Sequence, residues 1–346
     1  MAYIFLSNKV FWVGKYMSSR FGVFSEFGKL NTVVVGQVED FAYPPYSPNI
    51  RYLTGEKRRM LESTDGRPYR LKSEQPALYE RLVSQLEIVC EAFRSRGIEV
   101  LRPRLFTPPE KNFLADLQLG HSQLYPADPA FVIGDHFIEA CIRRPFRRKE
   151  VWGIRDTVVP AMAATPDAHH VAMPSAQPDP ADVLGLGHGI YLEGGDVIVH
   201  GKTLLVGYGP LTSSLLGGQW LARYMRPFGY DVEHVEIHGD FLHLLGVMSL
   251  VREGLAIAYL PALGGSLPKP VKDWDVIEIS LEECLALGTV GMNTDPKTHL
   301  IDRRLTRIIQ QLEKRGVTCV PLEIDELADW GGAVRCVTLP ISREAE

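Results

Sequence analysis

The chain has 346 residues, 45% hydrophobic and 23% charged, which excludes a disordered or fibrous protein and allows two ordinary domains or one large one. With 37 Lys and Arg against 42 Asp and Glu the formal net charge is −5, so no basic footprint for nucleic acid is expected. The five cysteines (Cys90, Cys141, Cys284, Cys319, Cys336) form no CxxC pair and leave one over, which favours a reducing compartment and permits a reactive thiol.

In chain order, the N-terminal run MAYIFLSNKVFWVGK is apolar but interrupted by Asn8, Lys9 and Lys15, and it lacks a basic start. It reads as a strand or a misassigned start rather than a signal peptide. No stretch reaches the ~18 apolar residues of a membrane span, and a soluble cytoplasmic protein is expected. Residues 1–29 are taken as an extension and 30–346 as a single domain. Tyr43–Asn49 is Pro-rich and reads as a surface loop. Leu78, Leu82, Leu86, Val89 and Phe93 recur at helical spacing, with Ser73 as N-cap and Gly97 as the stop. Ala130–Ile133 and His136–Ile138 flank Gly134-Asp135 as a hairpin. Ala163–Asp182 reads as another loop. Asp196–Val199 and Thr203–Val206 form a second hairpin around His200-Gly201-Lys202. Leu305, Ile308, Ile309, Leu312 and Gly316 repeat the helix-then-glycine pattern near the end.

Three segments share that pattern, an amphipathic helix, a glycine and a β-rich run: Cys90–Pro103, Leu221–Ile237 and Ile308–Ile324. The recurring unit is strand, turn, strand, helix, glycine, strand. Several such units suggest a closed ring of α/β modules rather than a doubly wound sheet.

Nucleotide and metal motifs fail on spacing. Gly201-Lys202-Thr203 lacks the phosphate-loop glycine five residues earlier, where Asp196 stands, and lies between strands. Gly185–Gly189 does not open a helix. His169-His170 has no second ligand pair, so no metal is expected.

Three other segments carry chemistry. Glu193 precedes Gly194-Gly195-Asp196, where backbone can approach a ligand closely. His243 is a lone histidine in Phe241-Leu242-His243-Leu244. Cys336 follows Gly331-Gly332. A thiol, an imidazole and a carboxylate are the parts of an activated-thiolate site. Cys90, Cys141, Cys284 and Cys319 read as buried hydrophobes.

The set PADPAFVIGDHFIEA, RRPFRRKE, YLEGGDVIV, FLHL and GGAVRCVTLPI, in that order, resembles the guanidino-group-modifying (pentein) superfamily of arginine deiminases, dimethylarginine dimethylaminohydrolases and amidinotransferases. The resemblance runs from about Leu30 to Arg343. It implies an α/β fold that is a five-bladed α/β propeller of ββαβ repeats. It also implies Cys336 as nucleophile, His243 as general acid/base, and Glu193 and Asp128 as the carboxylates that grip a guanidinium. Asp196 is assigned to substrate binding or to support of the Glu193 turn, and Arg144 or Arg147 to the substrate α-carboxylate. Ala127 stands where the family usually has Arg. Leu245 stands where deiminases and amidinotransferases carry Asp, and it is expected to present an apolar wall to the substrate that tolerates N-alkylated guanidines. The Glu193 turn and the Arg147-Arg148-Lys149-Glu150 run resemble the hydrolases, whereas Gly291–Asn293 through Asp302–Arg304 resembles amidinotransferases. A hydrolase of arginine or a methylarginine-like derivative is therefore expected first, an amidinotransferase second and an inactive binding homologue third. No cofactor is implied. The partners expected are a small guanidino substrate and at most a second copy in a homodimer, with no nucleic acid and no membrane.

Overall fold

The computed structural model describes residues 20–43, 59–60, 62, 64, 67–117, 119–163, 165–176 and 189–345. Residues 1–19, the Pro-rich loop beyond Tyr43 and most of the loop after Ala176, including Gly185–His188, lie outside the described residues.

Among the described residues, five three-stranded sheets repeat one unit: an antiparallel pair, one strand of which carries a third strand in parallel. In the first, Ala130–Ile133 pairs antiparallel with His136–Glu139, and His169–Ala172 joins in parallel. The same holds for Val197–His200, Thr203–Tyr208 and Asp231–Glu236. It holds again for Met248–Arg252, Leu255–Ala258 and Asp275–Glu278, and for Met292–Asp295, Thr298–Asp302 and Thr318–Leu322. The fifth unit joins the two ends of the chain: Thr338–Arg343 pairs antiparallel with Leu30–Val35, which carries Glu99–Leu101 in parallel. A further sheet of Tyr69–Arg70, Gln37–Tyr43 and His121–Gln123 is wholly antiparallel.

A parallel third strand requires a crossover, and in four units a helix supplies it: Pro76–Arg94, Val151–Met162, Leu215–Met225 and Thr306–Glu313. The unit at Met248–Glu278 crosses over through two 3-10 turns instead, Leu260–Leu263 and Lys269–Val271. The three helix-glycine-strand segments legible in the sequence are three of these crossovers, with Gly97, Gly229 and Gly316 in the left-handed region at φ 74°, 79° and 78°. The helix of Leu78–Phe93 begins at Pro76 with Gln75 as its N-cap, not Ser73, which lies in a separate short helix, Leu71–Glu74. A proline at the first position breaks the hydrogen-bond ladder there and restarts the helix.

The apolar faces gather in four buried clusters between sheets and helices. Phe21, Val23 and Phe27 are buried among them, and Gly22, Val23 and Ser25 bridge to Ser342, Gly134 and His200. The stretch from residue 20 to 29 therefore belongs to the packed unit and not to a separate extension. No helix among the described residues is long and apolar enough to cross a membrane.

Candidate active site

Four of the residues singled out in the sequence occupy one position in four different units, the loop leading into the first strand. Asp128 precedes Ala130–Ile133, Glu193 precedes Val197–His200, His243 precedes Met248–Arg252 and Cys336 precedes Thr338–Arg343. Repetition of the unit thus carries residues far apart in sequence to neighbouring places.

Three of them meet directly. His243 Nε2 lies 3.0 Å from Glu193 Oε2 and its Nδ1 lies 3.8 Å from Asp128 Oδ1, all three residues being buried. The donor atoms of this trio lie within 4.8 Å of one another. Cys336 is partly exposed and feels the charges of Asp128, Arg335 and Arg147.

The charges are mutually arranged. Burial pulls the His243 imidazole down, but the charge of Asp128, the hydrogen bond to Glu193 and the charges of Asp196 and Glu193 outweigh it and hold it up at about 9. Burial pushes Glu193 up, but the His243 bond and charge, with Arg144 and Arg147 behind, bring it down to about 2. The pair is a buried carboxylate–imidazolium at neutral pH. In that state the trio presents two carboxylates beside an imidazolium. Burial first, and then the charge of Asp128, push the Cys336 thiol up to about 12, so it is neutral without a neighbouring cation.

Close packing explains the glycines. A Cβ on Gly195 would lie 2.6 Å from His243 Cγ, and one on Gly194 would lie 2.0 Å from the Ala127 carbonyl oxygen. A Cβ on Gly332 would lie 2.4 Å from Tyr125 Cε1 and 3.0 Å from Cys336 Cβ. Tyr125 therefore stands against the thiol loop, its hydroxyl donating to the Trp330 carbonyl at 3.2 Å.

Three expected substrate contacts are placed differently. Leu245 is 5% exposed and belongs to an apolar core cluster with Val247, Ile257 and Cys284, so it packs in the core instead of forming a substrate wall. Arg147 donates to Asp128 Oδ2 at 2.9 Å and through Nε and Nη2 to Glu150, so its fork is engaged within the protein. Asp196 is fully buried. Its Oδ1 accepts from the Leu244 N–H and its Oδ2 from Thr212 and Ser213, which makes it a support for both loops, not a contact open to substrate. Arg144 is buried close enough to Glu193 to lower it.

Sequence reasoning missed Thr212, Ser213, Arg143 and Glu150. Arg143 N–H donates to Glu193 Oε1 at 3.1 Å. Glu150 is held up at about 7, burial outweighing the charge and hydrogen bonds of Arg147. Its i,i+3 spacing from Arg147 was a legible signal; a serine–threonine run before a helix was a signal only for capping.

No family model matches the chain. The uncharacterized protein YkgA of Bacillus subtilis (strain 168) is 26% identical over 254 residues, 73% of this chain and 77% of that one. The mitochondrial glycine amidinotransferase of Xenopus tropicalis is 22% identical over 92% of this chain and 82% of that one. Among solved structures, SxtG, an amidinotransferase of the saxitoxin biosynthetic pathway from Microseira wollei, superposes with a TM-score of 0.76 at 19% identity, covering 94% of this chain and 98% of that one. The N-terminal domain of ArgZ, an arginine dihydrolase of the cyanobacterial ornithine–ammonia cycle, gives 0.61 at 15% identity over 91% and 98%. The chain therefore shares the fold of these guanidino-group-modifying enzymes. The named relatives and neighbours with assigned activity are amidinotransferases and arginine hydrolases.

Proposed function

We propose that this chain is an enzyme that breaks the guanidino C–N bond of arginine or an arginine derivative through a covalent intermediate on Cys336. The observation that carries the reading is the buried trio of Asp128, Glu193 and His243, in which two carboxylates flank an imidazole held protonated. The five repeated sheets are read as the blades of a propeller, closed by the pairing of Thr338–Arg343 with Leu30–Val35.

A guanidinium is planar and cationic, and carboxylates pair with it through charge-assisted, two-pronged hydrogen bonds. Asp128 and Glu193 fix its plane and offset its charge. The cation stands beside the thiol and lowers its pKa, so the thiol loses its proton to solvent and the nucleophile is generated when substrate is present. Cys336 Sγ bonds to the guanidino carbon and gives a tetrahedral adduct. The imidazolium of His243 gives its proton to the departing nitrogen and the C–N bond breaks. Loss of a terminal nitrogen, as ammonia or an alkylamine, leaves an S-alkylthiouronium, which water converts to citrulline. Loss of the ornithine nitrogen leaves an S-amidino species, which an amine takes up. His243, now neutral, takes a proton from the incoming nucleophile as that atom bonds to carbon and the C–S bond breaks. No cofactor enters these steps.

With water as the nucleophile the reaction is hydrolysis, the reading that the Glu193-Gly194-Gly195-Asp196 turn suggests. With an amine it is amidino transfer, supported by the TM-score of 0.76 to an amidinotransferase against 0.61 to an arginine dihydrolase. The core position of Leu245 also removes the apolar wall that had favoured hydrolysis of N-alkylated guanidines. Incubation with arginine, methylated arginines and amines in ¹⁸O-water, with products identified by mass spectrometry, separates the two. Labelled citrulline marks hydrolysis; ornithine with a guanidinylated amine marks transfer. Neither product from any guanidine overturns the proposal.

A further inference from the structure

Thr212-Ser213-Ser214 joins the strand Thr203–Tyr208 to the helix Leu215–Met225. Ser214 caps that helix, accepting from the Gly217 N–H. The other two hydroxyls face inward and are buried at 1% and 0% exposure. Thr212 Oγ1 donates to Asp196 Oδ2 at 2.7 Å. Ser213 Oγ donates to the same oxygen at 2.5 Å, and the Ser213 N–H adds a third bond at 3.3 Å. Ser213 Oγ also accepts from the Glu193 N–H at 2.9 Å. The second Asp196 oxygen accepts at 2.7 Å from the N–H of Leu244, the residue after His243. One carboxylate thus holds the chain beside the guanidinium-binding Glu193 and beside the proton-carrying His243.

The segment is tied from its other side as well. The Arg143 guanidinium donates to the carbonyls of Gly209, Pro210 and Thr212 at 3.2, 2.9 and 3.2 Å, while its backbone N–H reaches Glu193.

We infer that Thr212 and Ser213 are positioning residues, which with Asp196 form a buried hub that sets where Glu193 and His243 stand and keeps a negative charge behind the imidazole. The inference deepens the proposed reaction and rests on it for its catalytic meaning. An ionised carboxylate with no exposure to water needs donors from the protein. Burial holds Asp196 above the usual carboxylate range, and the His243 charge, the Ser213 and Thr212 hydroxyls and the Leu244 N–H limit that rise. His243 faces Asp128, Glu193 and Asp196, with Arg144 and Arg147 behind Glu193. Removing a hydroxyl weakens the ionised form of Asp196 and, with it, the support of the imidazolium.

Ser213→Ala and Thr212→Val test this in the full chain, with Thr212→Ser as the conservative control. Histidine-labelled protein is titrated by NMR, His243 being assigned from His243→Gln, alongside melting curves and turnover of guanidines. The expected result is that His243 titrates below its about 9 in both hydroxyl-free variants, by about one unit, while Thr212→Ser keeps the wild-type midpoint. Turnover falls about tenfold to a hundredfold through kcat more than KM. An unmoved midpoint in folded variants overturns the hub. If Ser213→Ala fails to fold, Thr212→Val decides, because it leaves the Glu193 N–H its partner. The NMR midpoint needs no substrate. A shifted midpoint in a protein that processes no guanidine would uphold the hub and sink the reaction, and the converse would sink the hub alone.

Discussion

The imidazole of His243 stands 3.0 Å from the carboxylate of Glu193, 50 residues earlier in the chain and in the preceding sheet unit. Burial works against both charges, yet the bond and charge of His243 hold Glu193 down to about 2, while Asp128 first, then Glu193 and Asp196, hold His243 up at about 9. In the proposed reaction that one buried contact would supply both an anion to bind a guanidinium and an acid to protonate its leaving nitrogen.

Replacing the proposed nucleophile should separate chemistry from folding. Cys336→Ala is nearly isosteric, so its melting midpoint is expected within a few degrees of wild type, while turnover falls below about one per cent. Steady-state assay and a melting curve check both. Turnover close to wild type would remove Cys336 from the mechanism.

The pH profile follows from the two sites. The productive pairing is an ionised thiol with a protonated imidazole. In the free protein the thiol lies at about 12 and the imidazole at about 9. The productive fraction therefore grows about tenfold per pH unit up to about 9 and then levels. We expect kcat/KM to follow that rise. A bound cation lowers the thiol, so kcat should level off at lower pH than kcat/KM. A kcat/KM that is flat across neutral pH would contradict the assignment.

Gly195 is expected to be intolerant of a side chain. In Gly195→Ala the added Cβ would lie 2.6 Å from His243 Cγ, which forces the imidazole off Glu193. Activity should fall about 10²–10⁴-fold, the range for losing general acid–base catalysis, and His243 should titrate lower because its partner is lost. Wild-type titration of His243 in the variant would show that the ring had not moved.

Leu245→Asp is expected to harm stability and not to redirect selectivity. The side chain sits in an apolar cluster at 5% exposure. An unpaired charge there costs about 3–5 kcal/mol, so the melting midpoint should drop while the kcat/KM ratio for arginine over dimethylarginine stays constant. A changed ratio in a variant that melts like wild type would place Leu245 against the substrate.

Sequence alone determined the repeating unit and singled out the groups proposed to react. Helical spacing from Leu78 to Phe93 and the glycines after three helices mark crossovers, because periodicity and left-handed stops are local properties. Glu193, His243 and Cys336 were legible because a carboxylate before two glycines, a histidine in an apolar run and a thiol after a glycine pair are unusual within a few residues. Tertiary structure alone decided which side chains face the site. Leu245 and Asp196 each lie within three residues of a proposed catalytic or guanidinium-binding group, yet one packs in the core and the other is closed off by Thr212, Ser213 and Leu244. Arg147 reads as a free basic residue until the fold brings Asp128 and Glu150 onto its fork. These outcomes depend on partners 3 to 48 residues away in sequence, and which oxygens are occupied is settled only when the loops of different sheets meet.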